Sequence, residues 1–196
     1  MDIDRSLIRK RIEECRQGLW PVKSWKVDGT NKFLQLCPDG LRINFFLADA
    51  EENVESPPHT HDIGFTSTIV YGKLVNTILD VEDAEDGDYE RYALGKPDPL
   101  TYTFNETRQR CRVVGAKSKT YYPGDTYVMD PRQYHRTRFT ETTVTYLRRW
   151  PEELVQTFHL VRPGKGVPKQ PDRTTSATEL PGVWRTIDAV CERIGL

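Results

Sequence analysis

Hydrophobic and polar positions change period twice along the chain, which separates a β-patterned middle from two helical ends. Between residues 4 and 17, Leu7, Ile8, Ile12 and Cys15 fall on one stripe of helical period, and Gly18 is a stop signal. A second helix is predicted over 181–194, where Pro181 suits a first turn and Val183, Trp184, Ile187, Val190, Cys191 and Ile194 share a face. Both helices are expected on the outside of the domain or against another subunit. The stretch 162–178, rich in Pro, Gly, Thr and Lys, reads as an extended linker.

The middle is written in short runs of Val, Ile, Thr, Tyr and Phe, at the spacing of antiparallel sandwiches and barrels. Strands are predicted at 32–37, 41–48, 63–71, 73–80, 100–105, 108–114, 117–122, 134–140, 142–149 and 155–161. Tyr71-Gly72-Lys73 and Phe139-Thr140-Glu141 read as tight connections, and there is no internal repeat. The acidic run from Glu82 to Asp88 places oxygen ligands around a glycine, as a calcium loop does, but without helix-loop-helix spacing. It is read as a solvated hairpin tip.

Composition narrows the classes. A chain of 196 residues is expected to form a single domain over 1–196, long enough for a core without disulfides. The barrel core is placed at about 25–161, with 162–196 as linker plus C-terminal helix. Cys15, Cys37, Cys111 and Cys191 are scattered without a CxxC pair, which points to free thiols in a reducing compartment. The charged start carries no secretory signal, and no apolar run is long enough to span a membrane. A net charge of −1 argues against nucleic acid as the main partner. A soluble, cytoplasmic protein is expected.

Three of the four histidines then suggest chemistry. His59 and His61 are two apart, so on an extended segment both imidazoles leave one face. Alternation places them with Ile63, Phe65, Ser67, Ile69 and Tyr71, against the smaller or more polar set Thr60, Asp62, Gly64, Thr66, Thr68 and Val70. His135 shares its face with Thr137 and Phe139 while Arg136 and Arg138 point away, so it too lies on the more apolar side. Three neutral imidazoles on a rigid scaffold can hold a divalent metal and leave positions for water, O2 or substrate. His159 is read as a satisfied imidazole and Tyr134 as structural. Asp125, after a Pro-Gly turn, is read as a cap on backbone amides.

Pro58-His59-Thr60-His61 with Gly72 eleven residues after His61 resembles the first motif of the cupin superfamily. Tyr122-Pro123-Gly124-Asp125-Thr126, followed by Pro131 and His135, resembles the second. The resemblance implies an all-β cupin fold, a double-stranded β-helix or jelly-roll barrel, with an N-terminal and a C-terminal helix added by the periodicity. Where many cupins place a ligating glutamate, this chain has Phe65. The three-histidine pattern that remains resembles the thiol dioxygenases, notably cysteine dioxygenase, as does the run Gly72 to Asp80. That resemblance implies Fe(II) and O2 with a small thiol or carboxylate substrate. Zn, Ni or Mn remains open, as does a redox-neutral isomerase, lyase or hydrolase, or a cupin that only binds a small ligand. The family's crosslinking cysteine would fall at Phe65, so no Cys–Tyr crosslink is expected.

Substrate contacts are expected from Arg149, Tyr146, Phe65 and Arg42. Arg149 and Tyr146 have opposite parity, so one of the two enters the cavity. Arg149 could offer a fork to a carboxylate. Cupins often dimerise, and the terminal helices could support a homodimer.

Overall fold

The computed structural model describes residues 4–27, 30–38, 40–48, 54–95, 103–151, 154–164 and 175–196. Helix α1 (Arg5–Arg16) opens the fold, followed by β1 (Val22–Val27), β2 (Thr30–Leu36), β3 (Leu41–Phe46), β4 (Val54–Glu55), β5 (Phe65–Tyr71) and β6 (Leu74–Asp83). Then come β7 (Tyr89–Gly95), β8 (Thr103–Tyr121), β9 (Thr126–Met129), β10 (Tyr134–Phe139), β11 (Thr143–Arg149) and β12 (Thr157–Val161), and α2 (Leu180–Ile194) closes the fold. One sheet has the order β1-β2-β3-β11-β5-β9 and the other β12-β7-β8-β6-β10-β4. All the pairings are antiparallel. From β3 to β6 and again from β8 to β12, each strand lies in the sheet opposite to the one before it. That repeated crossing is a jelly-roll arrangement.

The helices cover the outer face of the first sheet. Asp4 caps α1 by accepting from the Leu7 amide at 3.0 Å, and Gly18, at φ 79°, lies just past its end. Ile8, Ile12 and Cys15 of α1 and Val183, Ile187, Val190 and Ile194 of α2 bury their stripes against Leu34, Leu36, Ile43, Phe45 and Val144. Between the helices, Arg16 pairs with Asp188, and its guanidinium stands 4.8 Å over the Trp184 ring. The opposite face of the same sheet, with Phe65, Ile69, Tyr127, Met129 and Leu147, packs against Leu74 from the second sheet and forms the barrel interior.

Several strands differ from the sequence expectation. The three strands predicted at 100–105, 108–114 and 117–122 are one strand over the described residues, β8. The gaps between them fall where β8 slips register, opposite Glu90/Tyr92 and opposite Asp80/Val81, so they mark bulges and not ends. The predicted strands missed β1, β4, β7 and β9. β9 is four residues long and β4 two, too short for alternation to be legible. The linker expected over 162–178 falls largely outside the described residues.

The acidic run is not a hairpin tip. β6 and β7 flank β8 on opposite edges, so the turn after Asp83 carries the chain across β8. Gly87 rests on that strand so closely that a Cβ would stand 2.2 Å from the Cys111 carbonyl oxygen. Gly72, between β5 and β6, does need glycine's conformational freedom: its φ is +74°, and a Cβ would lie 2.4 Å from the Thr142 carbonyl oxygen.

Candidate metal centre

The His59–His61 segment belongs to no long strand. It is a short extended stretch stitched between β10 and β12. His59 exchanges both backbone hydrogen bonds with His135, each at 2.9 Å. The Thr60 amide donates to Phe158 O at 2.9 Å, and the Leu160 amide to Pro58 O at 2.9 Å. The His61 amide donates to Pro131 O at 3.0 Å. These bonds fix the register, so the two imidazoles leave toward His135 while Thr60 faces away. His135 follows from β10, where alternating burial puts His135, Thr137 and Phe139 on the inner face.

The three rings converge. One nitrogen from each of His59, His61 and His135 lies within 4.8 Å of the others, and His61 Nε2 stands 2.7 Å from His135 Nε2. Two imidazole nitrogens bound at ~2.0–2.1 Å to adjacent positions of one ion would be roughly 3 Å apart, so the spacing suits a shared metal. In two of the rings Nδ1 faces an oxygen acceptor. His59 Nδ1 lies 2.8 Å from Pro57 O, and His135 Nδ1 lies 2.6 Å from Asn76 Oδ1. A Nδ1–H donated to oxygen leaves the Nε2 lone pair for the ion. Burial pushes His61 and His135 well below the ordinary histidine range. Neighbouring imidazoles add to this for both, and the Arg42 cation does so for His61. His61 and His135 are thus held neutral.

Phe65 lies beside the histidines. Its ring is 4.8 Å from that of His61 and perpendicular to it, at 89°. Phe65, Ser67 and Ile69 keep the inward parity expected from the sequence. Tyr71 does not: a register shift between Val144 and Thr145 turns it to the helix-covered face. Tyr146 also packs there. Arg149 is opposite Phe65 in the strand register and shares parity with inward Leu147; its charge, like that of Arg42, is felt at the Cys37 thiol. Arg42 pairs in register with Leu147. The inner wall continues as a buried polar row: Gln35 donates to Asn44 Oδ1 at 2.9 Å, and Asn44 to Thr145 Oγ1 at 3.0 Å.

Two residues join the site that sequence reasoning did not place there. His159, read as a satisfied imidazole, stacks on His59 at 5.3 Å and 18°. Asn76 holds His135; its signal in the sequence is a polar residue inside the apolar run Leu74 to Leu79. Tyr134 faces away from the three histidines and, with Thr60, Arg91, Arg132 and Phe158, borders a groove of about 520 Å³. The Tyr122 amide donates to Asp125 Oδ2 at 2.9 Å, the turn cap expected of that aspartate.

No protein-family model matches the chain, and no curated protein matches it in sequence. Solved structures similar to it include FeII HppE, at 8% identity and a TM-score of 0.41, covering 67% of this chain. The chain spans only 56% of the length of that HppE chain. The Drosophila melanogaster CENP-C cupin domain is similar at 8% identity and a TM-score of 0.35, over 76% of this chain and 100% of that one. SPY1581 of Streptococcus pyogenes, a conserved protein of unknown function, is similar at 16% identity and a TM-score of 0.34, over 60% of this chain and 72% of that one.

Proposed function

We propose that the protein is a non-haem Fe(II)-dependent dioxygenase of cupin type, with His59, His61 and His135 holding the metal and a small polar thiol or carboxylate as substrate. The observation that carries this reading is the convergence of three imidazoles, with the benzyl group of Phe65 beside them in place of a fourth, anionic ligand. Ferrous iron held by three neutral ligands would keep its full charge and supply open positions for O2 and an anionic substrate.

The chain's own residues prepare the site for that chemistry. Burial keeps His61 and His135 unprotonated, so no proton has to leave those rings at neutral pH. Phe65 packs its ring perpendicular to His61, which puts an apolar surface against the site. Arg42, whose charge reaches His61, favours an anion on that side. Arg149, opposite Phe65 in the register, adds a second positive charge on that wall.

The test is O2 consumption by anaerobically iron-loaded protein against a panel of small thiols and carboxylates, with His135→Ala as control. Uptake that requires Fe(II), a particular substrate and His135 is the expected result. Absence of uptake above the variant, in protein shown to hold its metal, would move the assignment to a redox-neutral cupin using Zn, Ni or Mn, or to a ligand-binding cupin.

A further inference from the structure

We infer that Asn76 is the positioning residue of this centre: its side-chain amide fixes His135 in the Nδ1–H tautomer and so keeps Nε2 available to the ion. The inference rests on the three-histidine metal reading above. The contact is short and shielded. His135 Nδ1 lies 2.6 Å from Asn76 Oδ1, and both residues are 3% exposed. Strand register holds the pair in place. Asn76 of β6 is directly opposite Thr137 of β10, and Thr137 is two residues from His135 on the same face, so Asn76 and His135 are diagonal neighbours.

An amide is ambiguous in a way a carboxylate is not, because it can accept or donate. Turned over, Asn76 would present its NH2 to Nδ1, and the ring proton would move to Nε2. That proton would then point at His61 Nε2, 2.7 Å away, and occupy the lone pair with which His135 would hold the ion. Met129 decides the orientation. Asn76 Nδ2 donates to the Met129 sulfur at 3.4 Å, an interaction that a reversed amide would lose. The acceptor oxygen therefore faces His135. With His135 protonated at Nδ1, the short His61–His135 contact in metal-free protein is a hydrogen bond donated by His61 Nε2–H. Binding the ion through His61 Nε2 then requires that proton to leave Nε2, whereas His135 needs no rearrangement.

A neutral partner also has a consequence for charge. Asn76 orients His135 without adding an anion behind it, so the centre stays three-fold neutral, in keeping with Phe65 in place of a carboxylate. A carboxylate at position 76 would accept the same proton, orient the ring equally and make the imidazole more basic.

Two measurements on the full chain test the role without turnover. In metal-free wild-type protein at alkaline pH, long-range 15N–1H correlation of the imidazoles should show His135 protonated at Nδ1 and bare at Nε2. The opposite tautomer would overturn the inference whatever the variants do. In titrations with Zn2+ alone, Asn76→Ala should weaken binding roughly 10–100-fold, the range for losing such an outer partner. Asn76→Asp should restore wild-type affinity or exceed it. Wild-type affinity in Asn76→Ala would also sink the proposal. Wild-type protein that binds neither Zn2+ nor Fe2+ would refute the metal reading instead, and the tautomer spectrum would still judge Asn76 separately.

Discussion

His61 and His135 tie the stability of this protein to pH. Burial holds both imidazoles well below the ordinary histidine value of 6.5, so they stay neutral in the fold where the unfolded chain takes up protons. The unfolded state therefore binds more protons once pH drops below about 6.5, and stability rises with pH across that window. Urea unfolding of metal-free protein should show midpoints that fall steadily as pH is lowered from 6.5 toward the depressed folded-state values. A flat profile would mean that the rings are not desolvated. Metal affinity should weaken in the same direction, because only neutral imidazole ligates. Phe65 gives a second residue-scale prediction. Phe65→Glu places a carboxyl at a 3%-exposed position against His61, and should destabilise metal-free protein by on the order of 3 kcal/mol through lost packing and a buried polar group. Added Mn2+ or Zn2+ should then raise the melting temperature of this variant more than that of wild type. Equal rises in the two proteins would place Phe65 away from the ion.

At the scale of elements, the decisive pieces are turns and bulges more than strand interiors. Gly72 joins β5 to β6 at positive φ, under the Thr142 carbonyl. Gly72→Ala should cost about 1–3 kcal/mol in chemical denaturation, combining backbone strain with overpacking. Gly18→Ala meets no atom within 4 Å and should cost less, since only the backbone conformation is strained there. Equal losses would mean that the Thr142 contact relaxes freely. Alternation predicted inward parity for Phe65, Ser67 and Ile69 because a two-residue period is a local property of extended chain. It failed at Tyr71 because one bulge on the β5–β11 ladder reverses the facing of everything beyond it. The same mechanism broke β8 into three apparent strands.

At the scale of the whole molecule, two buried regions lie on opposite faces of the first sheet. One is the helix-covered layer built on Ile8, Phe45 and Ile187; the other is the barrel interior with Phe65, Leu147 and Met129. The three-histidine cluster belongs to the second. Ile187→Ala, at a position 0% exposed, should therefore lower unfolding free energy by about 2–5 kcal/mol while leaving Zn2+ affinity of the folded protein unchanged. Coupled loss of affinity would show that the helical layer shapes the site through the sheet. Among the described residues, no helix is long and apolar enough to cross a membrane.

The sequence by itself determined the terminal helices, most of the barrel strands, the turns at Gly72 and Gly124, and the metal-binding potential of His59, His61 and His135. Helical stripes, strand alternation, capping residues and the two-residue step between histidines all act over a few neighbouring positions, so they are written where they work. Tertiary structure alone decided that Asn76 supports His135, that His159 stacks on His59, that Arg42 acts on His61, and that Tyr146 turns to the helices while Arg149 keeps the inner parity. Those relations cross between strands that are far apart in the chain. They depend on register, bulges and the curl of two sheets, which exist only once the hydrogen-bonded ladders have formed.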